Sequence, residues 1–541
     1  MSSLLVLVAI SLALSQLIRF YRWLFHHSIS YLRGPVADSF ILGNVREFTY
    51  QESVGDLDFR YMNEYGTAWR MKSILGSDVL MICDPKALQH VLHKSGYHYP
   101  KNTEARIGSF NVTGRSILWA PNGDIHSRHR KIMNPAFTAQ QLRSFLPLFR
   151  RGSNKMCQLW KDEVLAQAPT GMTIAVNQWL ARTTLDVIGE AAFDFSFGAL
   201  DDADNEVSKA YHNMFADSLL YPSAWSTIFR GLWRFIPDQL LSYVRYLPTR
   251  EYTRFRYTLN IINKVSKSLI DQKSEDLLSG DKSSKDVMSV LVRANSSENP
   301  RSQLSEEEMV SQMATLTLAG HETTANTITW LLYELAKHPE YQQKMREEIA
   351  VKRAEINARG DADFTMDDLE SMQYLHAALK ETLRYHPIVY HLAREASKDD
   401  VIPLAYPVTT IKGETVSEIP IAAGQIIMPN IAAYNRLPQV WGDDAHEWNP
   451  LRFIDDSPEV QVRLGMFGNL MSFSAGVRGC IGWRFSLIEM QAIVADLVEN
   501  FQFSIPPEKP EIIRVPAGIM GPMVKGKMHE GLQMPLHVTP L

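Results

Sequence analysis

Cys480 stands in the segment Phe473-Ser474-Ala475-Gly476-Val477-Arg478-Gly479-Cys480-Ile481-Gly482, and an apolar pattern from Trp483 to Val498 behind it reads as a helix. A cysteine at a helix entrance with an arginine two positions away is placed to become a thiolate, and flanking glycines let backbone N–H groups approach the sulfur. The loop therefore suits an anionic sulfur ligand. A lone cysteine is more often inert core, and a cysteine nucleophile is a further reading, but the local sequence supplies no histidine base for it. A second group with chemical potential is Ala319-Gly320-His321-Glu322-Thr323-Thr324, two small residues followed by an acid and an alcohol. A carboxyl backed by a hydroxyl makes a positioned proton route. The plainer alternative is a threonine bonded to its own i−4 carbonyl beside an ordinary glutamate. Glu381 and Arg384 sit at i, i+3, a spacing worth only about 0.2–0.5 kcal/mol when exposed. His126 with His129, and His90 with His93, have the spacing of metal-ligand pairs, yet no third clustered ligand accompanies either pair.

The acid and alcohol need a rigid support. Ser305-Glu306-Glu307-Glu308 makes a capping box, with Leu304 and Met309 at the hydrophobic-staple positions. The helix it starts can run to Lys337, before His338-Pro339, and at thirty-odd residues is about 45 Å long. Charges vanish from Met309 to Gly320, which predicts burial on all faces and a central spine. Gly320 in that interior costs about 0.5–1 kcal/mol relative to alanine, which predicts a close approach or a local distortion there. Residues 67–94 predict two strands, around Ala68 to Ile74 and Val79 to Cys83, then a helix opened by Pro85. Long helical patterns dominate from Ala139 to His386, and short strands return over 401–430 between Pro403, Pro407, Gly413, Pro420 and Gly424. The expected fold is mainly α with smaller β-sheets (α+β), one large domain over 46–541 with no internal repeat.

With 541 residues, 45% of them hydrophobic and 21% charged, the chain can bury a large core, which excludes a disordered, collagen-like or coiled-coil protein. A net charge of −5 gives no basic excess of the kind nucleic acids require. Three cysteines are too few for a disulfide framework or a four-cysteine zinc site. Met1 to Ile18 carry no charge, and Arg19, Arg22 and Arg33 follow them. Eighteen residues span about 27 Å, close to the hydrocarbon core of a bilayer. Residues 1–22 are therefore expected to be an N-terminal membrane anchor, with a cleaved signal peptide as the rival, and the basic flank keeps the body cytosolic. A proline-containing linker is expected over 23–45.

The segment Phe473 to Gly482 matches F-x-x-G-x-R-x-C-x-G, and on it the chain resembles the cytochrome P-450 superfamily of haem-thiolate monooxygenases. The resemblance implies haem b, with Cys480 as the axial iron ligand, Phe473 against the haem and Arg478 on a propionate. An anionic sulfur pushes electron density onto iron and favours O–O cleavage. It also implies that Thr323 faces dioxygen, for which Gly320 would leave room, and that Glu322 relays protons from solvent. Glu381, Arg384 and Arg452, the last within Trp448-Asn449-Pro450-Leu451-Arg452-Phe453, would form a buried network holding the cysteine loop. Gly123 to Phe137 resembles the family's W-x-x-x-R helix, so Arg130 and His126 are implied propionate partners, with His126 where tryptophan is usual. Arg394 is implied as another. The matched motifs run from Gly123 to Gly482 in the family's order.

The implied reaction inserts one atom of O2 into a lipophilic small molecule. No G-x-G-x-x-G loop or flavin segment is apparent, so electrons are expected from NADPH through a separate reductase. Arg128, Lys131 and Arg484 are candidate docking cations for its acidic surface. The tail Gly521 to Gly526 and Met534-Pro535-Leu536 resembles fungal members, which suggests terpenoid or similar secondary metabolism. A monomer on the endoplasmic reticulum membrane is expected. A haem-thiolate isomerase or dehydratase acting on peroxides, and a non-enzymatic haem sensor, are the alternatives.

Overall fold

The computed structural model describes Leu14 and residues 28–541, apart from 122, 203, 280–285, 296–302 and 455–461. The expected anchor over 1–22 lies outside the described residues except for Leu14, and no described helix is long and apolar enough to cross a membrane. Ile29 and Leu32 are fully buried, Leu32 bridges to Thr410, and the Arg70 N–H donates to Arg33 O at 2.9 Å.

The fold is mixed, mostly helical with small sheets. The spine runs from Glu306 to Lys337, capped by Ser305 and Glu308 in the reciprocal box that the sequence predicts. Glu308 to Leu318 are buried throughout. The spine packs along the helix Val176–Phe193 and also touches Arg250–Leu278, Gln373–Tyr385 and Trp483–Asn500. Gly320 explains the closest of these contacts, because a Cβ there would lie 2.7 Å from two side-chain atoms of Ile188. The glycine thus lets two helices approach, and the helix stays regular through it. Ile188 fills the space on the side of Gly320 where a Cβ would point. Ala319, one residue earlier, is exposed.

The largest sheet has the order Ala68–Lys72, Asp78–Ile82, Ile426–Pro429, Arg394–Glu395, its central pair parallel and the outer pairs antiparallel. Strands from distant parts of the chain thus meet, and the sheet carries Arg394 on its last strand. Asp84 caps the helix Pro85–Gln89 through the N–H groups of Lys86 and Ala87. A hairpin of Asp400–Thr409 with Thr415–Ile421 and two small C-terminal sheets complete the β structure.

Candidate active site: a cysteine loop under a cation cradle

Three restraints fix the cysteine loop. The Cys480 N–H donates to Phe473 O at 2.9 Å, which closes the segment on itself. Gly476 adopts φ +65° with the Leu92 carbonyl so close that a Cβ would fall 1.8 Å from its oxygen, so only glycine fits there. Arg130 on the helix Asp124–Met133 donates from Nη1 to Gly479 O at 2.7 Å. Phe473 is buried against Phe467. The helix Trp483–Asn500 starts three positions after the cysteine. Cys83 and Cys157 are buried, and Cys480 is the partly accessible thiol. Burial pushes the Cys480 thiol up, opposed by the Gly482 N–H and by Arg130. The sequence-level expectation of a thiolate favoured by Arg478 is corrected in two respects: Arg130 is the guanidinium that acts on the sulfur, and burial outweighs it. A metal would supply the missing driving force, since coordination deprotonates a thiol.

Above the loop, positive side chains converge. His126 is buried and its Nδ1 lies 2.8 Å from the Tyr97 hydroxyl. Burial first, then Arg478, Arg130, Lys101 and His129, lower its pKa to about 3, so it is neutral. Arg394 is buried and donates to Ala393 O at 2.9 Å, with a pKa brought down to about 10 by burial and by Arg478. Arg478 donates to Ala120 O at 3.1 Å. The structure adds Lys101, which the sequence reading missed. Its Nζ donates to Leu118 O at 2.5 Å, and burial with Arg394 and Arg478 lowers its pKa to about 7. Among the described residues, no carboxylate lies within ion-pair distance of Lys101, Arg130 or Arg394, whose hydrogen bonds go to backbone carbonyls. Withdrawn cations that repel one another create a site for a dianion. This donor set fits an iron porphyrin, whose two propionates the cations would hold and whose iron Cys480 would ligate.

The brace is complete. Glu381 and Arg384 are fully buried and joined by two parallel bonds of 2.7 Å each. Arg384 also donates to the carbonyls of Asn435, Ala445 and Glu447. Arg452 reaches Glu381 at 3.2 Å and Asp444 at 2.8 Å, and the Asn449 N–H donates to Glu381 at 2.7 Å. Asp444 is a fourth member absent from the sequence reading. Asn435 carries the brace to the loop, accepting from the Met471 N–H at 3.1 Å and donating to Ser472 Oγ at 2.9 Å.

On the spine, Glu322 is 8% exposed and its Oε2 has no hydrogen-bond partner. Burial raises its pKa to about 8. It lines a polar cavity of about 360 Å³ with Arg182, Tyr211, His212, Arg254 and Asn326. Thr323 Oγ1 donates to Ala319 O at 2.8 Å, the i−4 bond weighed above as the plainer alternative. Thr324, which the sequence reading passed over, bonds Ser486 Oγ at 2.9 Å and ties the spine to the helix after the cysteine. Arg128 pairs with Glu308 at 2.6 Å and donates to Gln303 O, so it clamps the start of the spine. Lys131 and Arg484 are exposed.

A single partly accessible thiol, in a loop held by Arg130 and close to a cluster of cations, is the donor set of a haem-thiolate protein. The cytochrome P450 family profile matches residues 34–528. The chain is 34% identical over 522 residues to cytochrome P450 monooxygenase 205 of Postia placenta, covering 94% of this chain and 92% of that protein. It is 32% identical to cytochrome P450 monooxygenase claQ of Ampulloclitocybe clavipes, with the shares 94% and 92%. A ganoderic acid synthetase of Ganoderma lucidum is 34% identical, with 91% and 90% covered. This chain belongs to the cytochrome P450 family, and it is a haem-dependent monooxygenase.

Proposed function

We propose that this chain inserts one atom of O2 into a lipophilic small molecule, a terpenoid or a related fungal secondary metabolite. Electrons come from NADPH through a separate membrane-bound reductase. When bound, the haem supplies dioxygen activation, which no side chain of the protein can perform. Cys480 ligates the iron, and Arg130, Arg394 and Arg478 hold the propionates, with His126 able to add a neutral N–H. Phe473 packs against the haem. Glu381, Arg384 and Arg452 keep the loop in place. The observation that carries this reading is the convergence of cations, buried Arg394 among them, near the one partly accessible thiol among the described residues.

Glu322 is the proton source, neutral at pH 7 and facing the polar cavity from which it is replenished. Thr323 delivers the proton once its hydroxyl turns from Ala319 O. A second cavity of about 400 Å³ is lined by apolar side chains (Met71, Val79, Met81, Met428) together with charged ones (Lys72, Glu104, Arg230, Arg234, Glu395), and neither Cys480 nor Thr323 lines it. Residues 1–22 anchor the chain in the endoplasmic reticulum membrane, and the body over 46–541 acts as a monomer on the cytosolic face. Exposed Trp225, and Tyr221 stacked on Tyr50 at 5.4 Å, give this body an aromatic surface suited to a membrane interface.

The test is the visible spectrum of the reduced, carbon-monoxide-bound protein against Cys480→Ser. Loss of the thiolate signature in the variant supports the reading. Nitrogen ligation, or a colourless protein after reconstitution, refutes it. Substrate-dependent NADPH use with a reductase then separates oxygenation from isomerisation and from gas sensing.

A further inference from the structure

We propose that the polar cavity facing Glu322 is a binding site for a small free carboxylate, which when bound holds back the supply of protons from the spine. The second half rests on the reading of Glu322 as proton donor. Two helices that pack along each other build the site, Val176–Phe193 and the spine. Gln178 and Arg182 stand one turn apart on the first, and Glu322 and Asn326 one turn apart on the second, so each pair shares a helix face. All four line the same cavity of about 360 Å³. Glu322 and Asn326 are each 8% exposed, and Glu322 Oε2 has no hydrogen-bond partner. Among the described residues, the side chains of Gln178, Arg182 and Asn326 make no hydrogen bond or ion pair either.

The chemistry of these four groups is one-sided. Burial keeps Glu322 protonated at pH 7, so it offers an O–H, and each amide can turn its NH2 inward. The Arg182 guanidinium stacks on the Trp179 ring at 4.7 Å and keeps its N–H donors. The two aspartates that line the cavity are already engaged, Asp204 with Lys209 at 3.5 Å and Asp217 with Arg250 at 3.1 Å. The charge of Arg182 is thus left without a counter-ion. Burial lowers the His212 pKa, and Arg254 and Arg182 lower it further against Asp217, so the guanidinium groups surround a neutral imidazole. A half-buried cation facing neutral donors is a site for an oxyanion. A carboxylate matches it best, because its single charge balances one guanidinium and its two oxygens can take both the Arg182 fork and the Glu322 O–H. A negative charge beside Glu322 favours the protonated form of that carboxyl, so the bound anion both retains the proton and fills the space from which it is replaced.

The test uses the full-length, haem-loaded protein, with acetate as the probe and chloride at equal ionic strength as the control. Acetate should raise the thermal midpoint of wild type saturably. Over the same concentration range it should lower the product formed per NADPH consumed. Arg182→Gln should bind acetate about tenfold more weakly. Arg182→Lys keeps the charge without the planar fork and should fall between the two, which preserves the comparison if Arg182→Gln does not fold. Equal wild-type midpoints in acetate and chloride, or acetate binding undiminished in both variants, overturns the proposal while leaving the role of Glu322 to be judged on Glu322→Gln. Saturable binding that depends on Arg182 but leaves product per NADPH unchanged overturns the proton-donor reading and the regulatory half with it, and the carboxylate site stands.

Discussion

Glu322 offers a quantitative test of the proton route, because its carboxyl is held up to about 8 by burial while an unfolded glutamate titrates near 4.5. The folded protein therefore keeps a proton that the unfolded chain gives up as pH rises between those values. Stability falls by about 1.4 kcal/mol for each pH unit across that window and is flat above it. Summed over the window the cost reaches about 5 kcal/mol, and between pH 5.5 and 7.5 it is about 3 kcal/mol. Glu322→Gln removes the titration and keeps the shape. Urea midpoints of wild type and variant should thus diverge by an amount equivalent to about 3 kcal/mol from pH 5.5 to pH 7.5, the wild type losing ground. Turnover has the matching sign: wild-type product formation falls as pH passes 8 and the donor ionises, and the variant is slow at every pH, with more NADPH wasted per product. Parallel stability curves for the two proteins would refute a raised Glu322 pKa, and unchanged coupling in the variant would refute its role as donor.

Glu381→Ala leaves the fully buried Arg384 without its carboxylate, at a cost of about 3–5 kcal/mol, and a haem-to-protein ratio near that of wild type would contradict the brace. Gly320→Ala drives a methyl into Ile188 and should cost about 1–3 kcal/mol, with recovery in Gly320→Ala/Ile188→Ala measured by thermal unfolding. Charge reversal at exposed Lys131 and Arg484 should slow reduction by a reductase several-fold at low ionic strength and less at high salt. Arg128→Glu should instead lower thermal stability, because that side chain clamps Glu308.

The cysteine motif, the capping box at Ser305 and the charge-free run beyond it were legible in the sequence because each depends on residues near one another in the chain. Local spacing decides whether a cap closes or a glycine loop can approach a sulfur. Arg384 and Arg452 could also be located, since a recurring pattern names them even though their shared carboxylate depends on long-range contact. Lys101, Asp444 and Thr324 carry no such mark. Each gains its place only when distant segments meet: 98–100 against 395–397, 441–452 against Glu381, the spine against the helix after Cys480. Arg128 illustrates the same limit in the opposite direction, because a basic residue on an amphipathic helix looks solvent-facing until Glu308 packs onto it. Side-chain type and spacing therefore settled which chemistry this chain carries. Burial and charge, which sum over every neighbour in space whatever its distance in the chain, settled the protonation of Glu322, His126 and Cys480 and the partner that fills the space beside Gly320.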